Sequence, residues 1–318
     1  MNFLESKSIY YKDVNLIAQP QSKISSRESV LKQLDQIIVS PMSAVVGEKF
    51  VLEALDLGLT VCLHRFGSIE QQIKLLKKIY YKFGIDNVQD GFKSVYVSVG
   101  LGDTDRINQL KKLGHKEILL DVANGYLSTV VNYAQELSKD FSLMVGNVHS
   151  SKGINLYNRG KIRVGIASGS ACGTSEASGY NRGQITEILE CYRDRYSTHQ
   201  MIVADGGIAN AGCAAKAFGA GADYVMMGGY FSLAEEAQNI IDGEYKFWGG
   251  ASHLQQLKQK GKITRHSEGK EINLDKDNIR PLKFLVDELW GGISSAISYS
   301  GHANLTQFIG NGVFEIKL

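Results

Sequence analysis

The chain has 318 residues, 43% of them hydrophobic, and a formal net charge of +2 at pH 7. That length suits one large α/β barrel or two ordinary domains, and the near-neutral charge argues against nucleic acid or an anionic membrane as the main partner. The four cysteines, Cys62, Cys172, Cys191 and Cys213, are scattered, with no CxxC pair and no metal-spaced His/Cys cluster; this argues against structural zinc or a disulfide framework and for a reducing compartment.

The opening residues, MNFLESKSIYYKD, lack the apolar core of a signal peptide, and no apolar run approaches a membrane span. A soluble cytoplasmic protein without a membrane partner is therefore expected. Residues 1–36 are polar and irregular. Eight short apolar runs follow: Ile37–Ser40, Leu59–Leu63, Ser94–Val99, Glu117–Val122, Phe141–Val145, Ile162–Ile166, Met201–Ala204 and Tyr224–Met227. They are rich in β-branched residues and too short for helices. Helix-compatible segments lie between most of them, at Ile69–Phe83, Asp105–Leu113, Leu127–Leu137, Gln184–Tyr196 and Ala211–Phe218. Near-continuous apolar strands alternating with helices predict a parallel sheet covered by helices. Eight such units predict a closed (β/α)8 TIM barrel of the α/β class. The link from Val148 to Lys161 is short, so its crossover helix is expected to be reduced or missing. An open doubly wound sheet is the alternative, but its glycine fingerprint is absent near the start.

Most of the later runs end in polar or glycine-rich residues. Asp121 leads to Ala123-Asn124-Gly125, Gly146 to Asn147, and Val203 to Asp205-Gly206-Gly207; Val225 leads to Gly228-Gly229. In a barrel these ends share the C-terminal face, where active sites are built. Residues 232–280 are charged, contain glycine and carry no strand of the core type. They are read as a flap over the barrel mouth, within a single catalytic domain spanning 1–318 and without an inserted module. A helix with the pair Gly291-Gly292 then covers Asp287–Ser300.

The stretch Arg163–Glu176 reads RVGIASGSACGTSE. It begins as a strand, breaks into small residues and presents Cys172, with Thr174 two positions on. Such a loop lets a planar ligand approach the backbone and gives the thiol room to act as a nucleophile. A free thiol in a tight turn is the alternative. Glycine pairs after the last two predicted strands match the usual phosphate site of barrels. Gly207, Gly228 and Gly229 are the candidates for phosphate, with Asp205 accepting from ribose hydroxyls; simple tight turns would look similar. Cys172 needs a base, because a free thiol is only slightly ionised at neutral pH. Glu268 on the flap could act through Thr174 to relay a proton to a leaving group. The alternative for Glu268 is a solvated loop charge.

These residues carry a resemblance. The chain resembles the IMP dehydrogenase/GMP reductase family from about residue 8 to 300. The matching pieces include Tyr11-Lys12-Asp13-Val14, Asp121-Val122-Ala123-Asn124-Gly125-Tyr126, Gly146-Asn147-Val148 and Gly169-Ser170-Ala171-Cys172. Asp205-Gly206-Gly207, Met227-Gly228-Gly229, Ser267-Glu268-Gly269-Lys270 and Gly291-Gly292-Ile293 continue the match. Ser267-Glu268-Gly269-Lys270 favours the reductase branch. So does the lack of an Arg-Tyr dipeptide over residues 249–268, a pair that the dehydrogenases use to activate water.

The resemblance implies reduction of GMP to IMP and ammonia with NADPH, through a covalent thioimidate on Cys172. Thr174 and Glu268 would relay the proton. The nucleotide, a purine nucleoside monophosphate, would be held by Ser170, Asp205, Gly206, Gly207, Gly228, Gly229, Gly249, Gly250, Ala251, Arg265, His266, Ser267 and Gly269. The dinucleotide would meet Asp121, Val122 and Ala123, together with Ser295 and Ser298. Ser26 and Arg27 match a position that a neighbouring subunit contributes, and Arg27 could pair with the extra phosphate of NADPH. A homotetramer is implied. Carbonyls of the loop at Gly169 and Cys172 hold potassium in the family. Here that loop departs from the pattern, with Cys172-Gly173-Thr174-Ser175 for Cys-Thr-Thr-Arg and Ala167-Ser168-Gly169 for Gly-Pro-Gly. Gly250 stands where methionine is common, which could widen the base pocket. Oxidation of IMP to XMP, a modified purine substrate, a non-catalytic nucleotide binder and a flavin-dependent barrel are the competing functions.

Overall fold

The computed structural model describes residues 8–317 except 21, 23, 25, 86–93, 264 and 265. In chain order, a short strand β1 (Val14–Leu16) precedes the barrel. The first three barrel units follow as β2 (Ile37–Val39), α1 (Glu48–Asp56), β3 (Thr60–Leu63), α2 (Ile69–Lys82), β4 (Val95–Val99) and α3 (Thr104–Lys112). Next come β5 (Glu117–Asp121), α4 (Ser128–Leu137), β6 (Ser142–Val148), the one-turn α5 (Ser151–Ile154) and β7 (Gly160–Val164). The chain continues through α6 (Thr174–Ser178), α7 (Gln184–Asp194), β8 (Gln200–Asp205), α8 (Ala211–Gly219) and β9 (Tyr224–Met227). Strands β2 to β9 close into an eight-stranded barrel, with β2 paired in parallel to both β3 and β9. The expected (β/α)8 barrel is present, and the crossover after β6 is reduced to a single turn.

The local chemistry explains the elements. β3 and β4 are buried along their whole length, as strands sandwiched between barrel interior and helices must be. α2 starts at a capping box, in which the Ser68 hydroxyl accepts from Gln71 N–H and the Gln71 side chain answers the Ser68 N–H. Inward positions of seven strands supply Ile38, Cys62, Tyr96, Leu119, Met144, Val203 and Met226, which pack as one cluster inside the barrel. Full burial of such side chains contributes roughly 1.5–3 kcal/mol each. Below them, towards the strand starts, Lys161 Nζ donates to Tyr96 Oη at 2.6 Å and lies 4.5 Å from the Tyr224 ring centroid. The barrel is therefore solid, and access is from the mouth.

The excursion after β9 is more ordered than its composition suggests. It holds a three-stranded antiparallel sheet of β10 (Ile240–Ile241), β11 (Glu244–Trp248) and β12 (Glu271–Asn273), with α9 (His253–Lys260) between the last two. The last barrel helix is α10 (Leu282–Tyr299), followed by α11 (Leu305–Phe308) and β13 (Phe314–Ile316). β13 pairs antiparallel with β1, joining Val14 to Ile316 and Leu16 to Phe314. The irregular start expected for residues 1–36 thus includes a strand whose partner lies some 300 residues away in sequence. Among the described residues no helix is long and apolar enough to cross a membrane.

Candidate active site

Five strand ends and the flap converge on the barrel mouth. The β7 loop is seated first. Gly165 has φ +138°, and a Cβ there would lie 1.9 Å from the Asp205 carbonyl oxygen, so the chain crosses directly over the end of β8. Only glycine makes that crossing. The Ser168 hydroxyl then donates to the same carbonyl at 3.1 Å. Further along, the Ser170 hydroxyl lies against the backbone of Gly229, and Gly207 packs on the Gln184 side chain. Ser170, Asp205, Gly206, Gly207 and Gly229 are thereby brought together at the mouth. Gly228 is backed by Met42 and Ser40 from the β2 loop.

The Cys172 loop and the flap are tied by backbone. Cys172 and Gly269 form an antiparallel bridge. Gly173 N–H donates to the Glu268 carbonyl at 2.6 Å, and Lys270 N–H to the Ala171 carbonyl at 2.9 Å. On the flap's other side Gly249 N–H donates to the Lys270 carbonyl at 3.1 Å, and the Ser267 hydroxyl donates to the Ala251 carbonyl at 3.1 Å. This lattice aligns three side chains. The Cys172 thiol donates to Thr174 Oγ1 at 3.3 Å, and Thr174 Oγ1 donates to Glu268 Oε2 at 2.9 Å. Cys172 is half-buried, while Cys62 and Cys191 are buried. Burial pushes the thiols of those two well up, so they stay protonated. Ala251, Ser267 and Gly269 belong to the lattice; His266 lies on its exposed edge, and Arg265 is outside the described residues.

Charges not expected from the sequence occupy the floor of the mouth. Arg163 points inward from β7. Its Nη1 is 2.9 Å from Asp121 Oδ1 and its Nη2 is 2.9 Å from Asp205 Oδ2. Burial works against the Arg163 charge, but Asp205 and Asp121 outweigh it and raise its pKa. Asn147 Nδ2 donates to Asp205 Oδ2 at 2.7 Å and to the Gly165 carbonyl at 2.8 Å. Arg65 Nε lies 3.5 Å from Asp121 Oδ2. Asp205 and Asp121 are therefore fixed in place by a shared cation. The signal for Arg163 was available: a charged residue at an inward position between Ile162 and Val164 requires a buried partner.

The remaining expected cofactor residues form a separate group. Arg27 Nη1 is 3.5 Å from Ser295 Oγ, and the Ser22 hydroxyl donates to the Ser298 carbonyl at 3.0 Å. Barrel helices run back from the mouth, and Ser295 is about 20 Å along α10 from its start. Ser26, Arg27, Ser295 and Ser298 thus lie away from Asp121, Val122 and Ala123, which border the mouth. The Gly169 carbonyl, expected from the resemblance to face a monovalent cation, accepts the Cys172 N–H at 2.9 Å. Among the described residues no group of three His, Cys, Asp or Glu side chains is placed to hold a metal.

The family model described as "IMP dehydrogenase / GMP reductase domain" matches residues 10–316. The chain belongs to the IMP dehydrogenase/GMP reductase family. Its similar relatives include a GMP reductase of Caenorhabditis elegans, 28% identical over 331 residues, covering 96% of this chain and 90% of the relative. A GMP reductase of Onchocerca volvulus is 31% identical over 307 residues, covering 91% and 82%. One from Shewanella halifaxensis is 30% identical over 292 residues, covering 85% and 80%. At these identities the chain is a divergent member of the family.

Proposed function

We infer that the protein is a GMP reductase, converting GMP to IMP and ammonia with NADPH. The observation that carries this reading is the hydrogen-bonded series Cys172–Thr174–Glu268 beside the glycine-lined pocket. The half-exposed glycines 206, 207, 228 and 229 offer backbone N–H groups to a phosphate. Asp205 has one carboxylate oxygen engaged by Asn147 and Arg163. Its other oxygen has no protein partner among the described residues, which suits a ribose hydroxyl.

The chemistry follows from the side chains. Cys172 loses its proton towards Thr174 and Glu268, and its sulfur adds to C2 of the guanine ring. The exocyclic amine leaves as ammonia, taking a proton returned through Thr174 from Glu268. A thioimidate between Cys172 and C2 remains. When bound, a reduced nicotinamide would supply the hydride that this carbon accepts. The C–S bond then breaks, giving IMP and free Cys172. Asp121, Val122 and Ala123, at the open end of β5, would hold the nicotinamide side. Arg163 and Arg65 keep Asp121 from turning away. The carbonyls of Gly169 and Cys172 would hold a potassium ion in the family manner, and comparison of rates in sodium and potassium salts tests whether this altered loop does so.

The family reading brings a homotetramer in the cytoplasm as a further proposal. The separate patch of Ser26, Arg27, Ser295 and Ser298 supports it, because those residues reach a dinucleotide at the mouth only from a neighbouring chain. The decisive experiment follows NADPH absorbance with GMP, with ammonia and IMP measured as products. The wild-type protein should consume NADPH only when GMP is present. Cys172→Ala should abolish turnover and still bind GMP by calorimetry. Turnover that persists without the thiol sinks the mechanism, and formation of XMP from IMP and NAD⁺ as the faster reaction sinks the assignment to the reductase branch.

A further inference from the structure

Gly250 is exposed on the flap, immediately after the residue that rests on the nucleophile loop. A Cβ at Gly249 would lie 2.5 Å from the carbonyl oxygen of Ala171, the residue before Cys172. At the next position, a Cβ on Gly250 would lie 2.8 Å from Cζ of Phe66. Real Cβ contacts do not come that close, so Phe66 occupies the volume that any side chain at 250 needs. The β3 loop and the flap therefore meet here through a ring on one side and bare backbone on the other, one residue along from the flap's contact with Ala171.

Phe66 is held firmly. Its N–H donates to His64 Nδ1 at 3.3 Å. The His64 carbonyl accepts from Gln72 Nε2 at 3.0 Å, and Gln72 Oε1 accepts from Arg106 at 2.5 Å. Arg106 is in turn paired with Asp103 at 2.8 Å. The Arg65 guanidinium sits 5.8 Å from the Phe66 ring centroid and also reaches Asp121. These contacts anchor the Phe66 backbone, and the ring itself lies 5.9 Å from the His64 ring centroid and 5.8 Å from the Arg65 guanidinium. From that anchor the ring fills the volume beside Gly250 that the flap leaves open.

We propose that Phe66 is the specificity-determining wall of the ring end of the nucleotide pocket. It seats the flap through Gly250, and the pocket's width beside Cys172 is set by this ring and not by a flap side chain. The sequence expectation that Gly250 widens the base pocket is thereby refined: the space opened at 250 is filled from β3. The proposal deepens the GMP reductase reading and rests on it for the substrate, but the seating of the flap does not depend on it.

Two readouts test it. The first needs no activity. Trypsin cuts at the exposed lysines of α9, and the rate of cutting reports flap seating. Gly250→Met should raise that rate by about tenfold, and Phe66→Ala combined with Gly250→Met should return it close to wild type, since the ring and the new side chain compete for one volume. The second is the ratio of kcat/KM for N2-methyl-GMP to that for GMP, taken within each variant so that general damage cancels. Phe66→Ala should raise this ratio about tenfold, and the double variant should bring it back down. Equal trypsin sensitivity of the Gly250→Met and double variants overturns the seating. An unchanged ratio in Phe66→Ala overturns the specificity role. A wild-type protein inactive on GMP refutes the substrate reading alone and leaves the trypsin result to decide the contact.

Discussion

The Glu268 carboxylate is linked to the Cys172 thiol through Thr174 Oγ1, which donates to it at 2.9 Å. Its substitution should therefore affect proton movement more than binding. Glu268→Gln keeps the size and a hydrogen-bond acceptor but removes the base. We expect kcat to fall by about 10²–10⁴ while the KM for GMP stays within a few-fold. Steady-state kinetics decide this: a raised KM with kcat preserved would make Glu268 a binding residue. At this scale the sequence was informative where chemistry is local. Cys172 and Thr174 are two residues apart on one loop, and small neighbours advertise them. Arg163, Arg65 and Asn147 were missed because their roles depend on partners from other strands. Arg163 means little until Asp121 of β5 and Asp205 of β8 stand on either side of it.

At the scale of elements, the site depends on loops crossing strand ends at van der Waals contact. Gly165 is the strictest case. Its φ of +138° and the 1.9 Å approach to the Asp205 carbonyl oxygen leave no room for a methyl group. Gly165→Ala should destabilise the fold by about 2–4 kcal/mol and disrupt the Cys172 loop. Gly179, at φ +76° with open space around it, is the control. Gly179→Ala should cost only about 1–2 kcal/mol, the backbone penalty alone. Chemical denaturation of both variants makes the comparison, and equal losses would show that the crossing itself is not what Gly165 is needed for. The same scale shows where sequence pattern stops. β10, β11 and β12 form a small sheet over the mouth, yet their residues alternate weakly and sit among charges. Their pairing extends from β11 and β12 through Gly249 N–H to the Lys270 carbonyl, and Lys270 N–H carries it on to Ala171 of the Cys172 loop.

For the molecule as a whole, one buried group makes stability depend on pH. Glu187 lies on α7 with no exposed surface, and neither carboxylate oxygen has a hydrogen-bond partner among the described residues. Burial pushes its carboxyl up to about 9, while Arg182 pulls it down and Glu190 pushes it further up. The folded protein then holds a proton that the unfolded chain releases near its usual value of 4.5. The unfolded state binds fewer protons across that window, so stability falls as pH rises from about 5 to about 9. Glu187→Gln keeps the neutral shape at every pH. Both proteins share the other buried groups, so the gap between their melting temperatures should widen as pH rises from about 5 to about 9. Parallel melting curves with no widening would show that Glu187 titrates normally.

The sequence by itself determined the barrel, because eight apolar runs too short for helices, spaced by amphipathic segments, have few other ways to bury their strands. It also marked the small-residue loop that carries Cys172 and Thr174 and the glycine pairs after the last strands, each a local feature of one loop, while Glu268 on the flap was favoured through the family resemblance. Only the tertiary structure decided how the strand ends meet. The β1–β13 pairing joins residues some 300 positions apart. The Arg163 bridge links three strands, and Phe66 meets Gly250 across the mouth. Hydrophobic period and residue type record what a segment does for itself. Contacts between distant segments depend on barrel closure and register, which no local pattern carries.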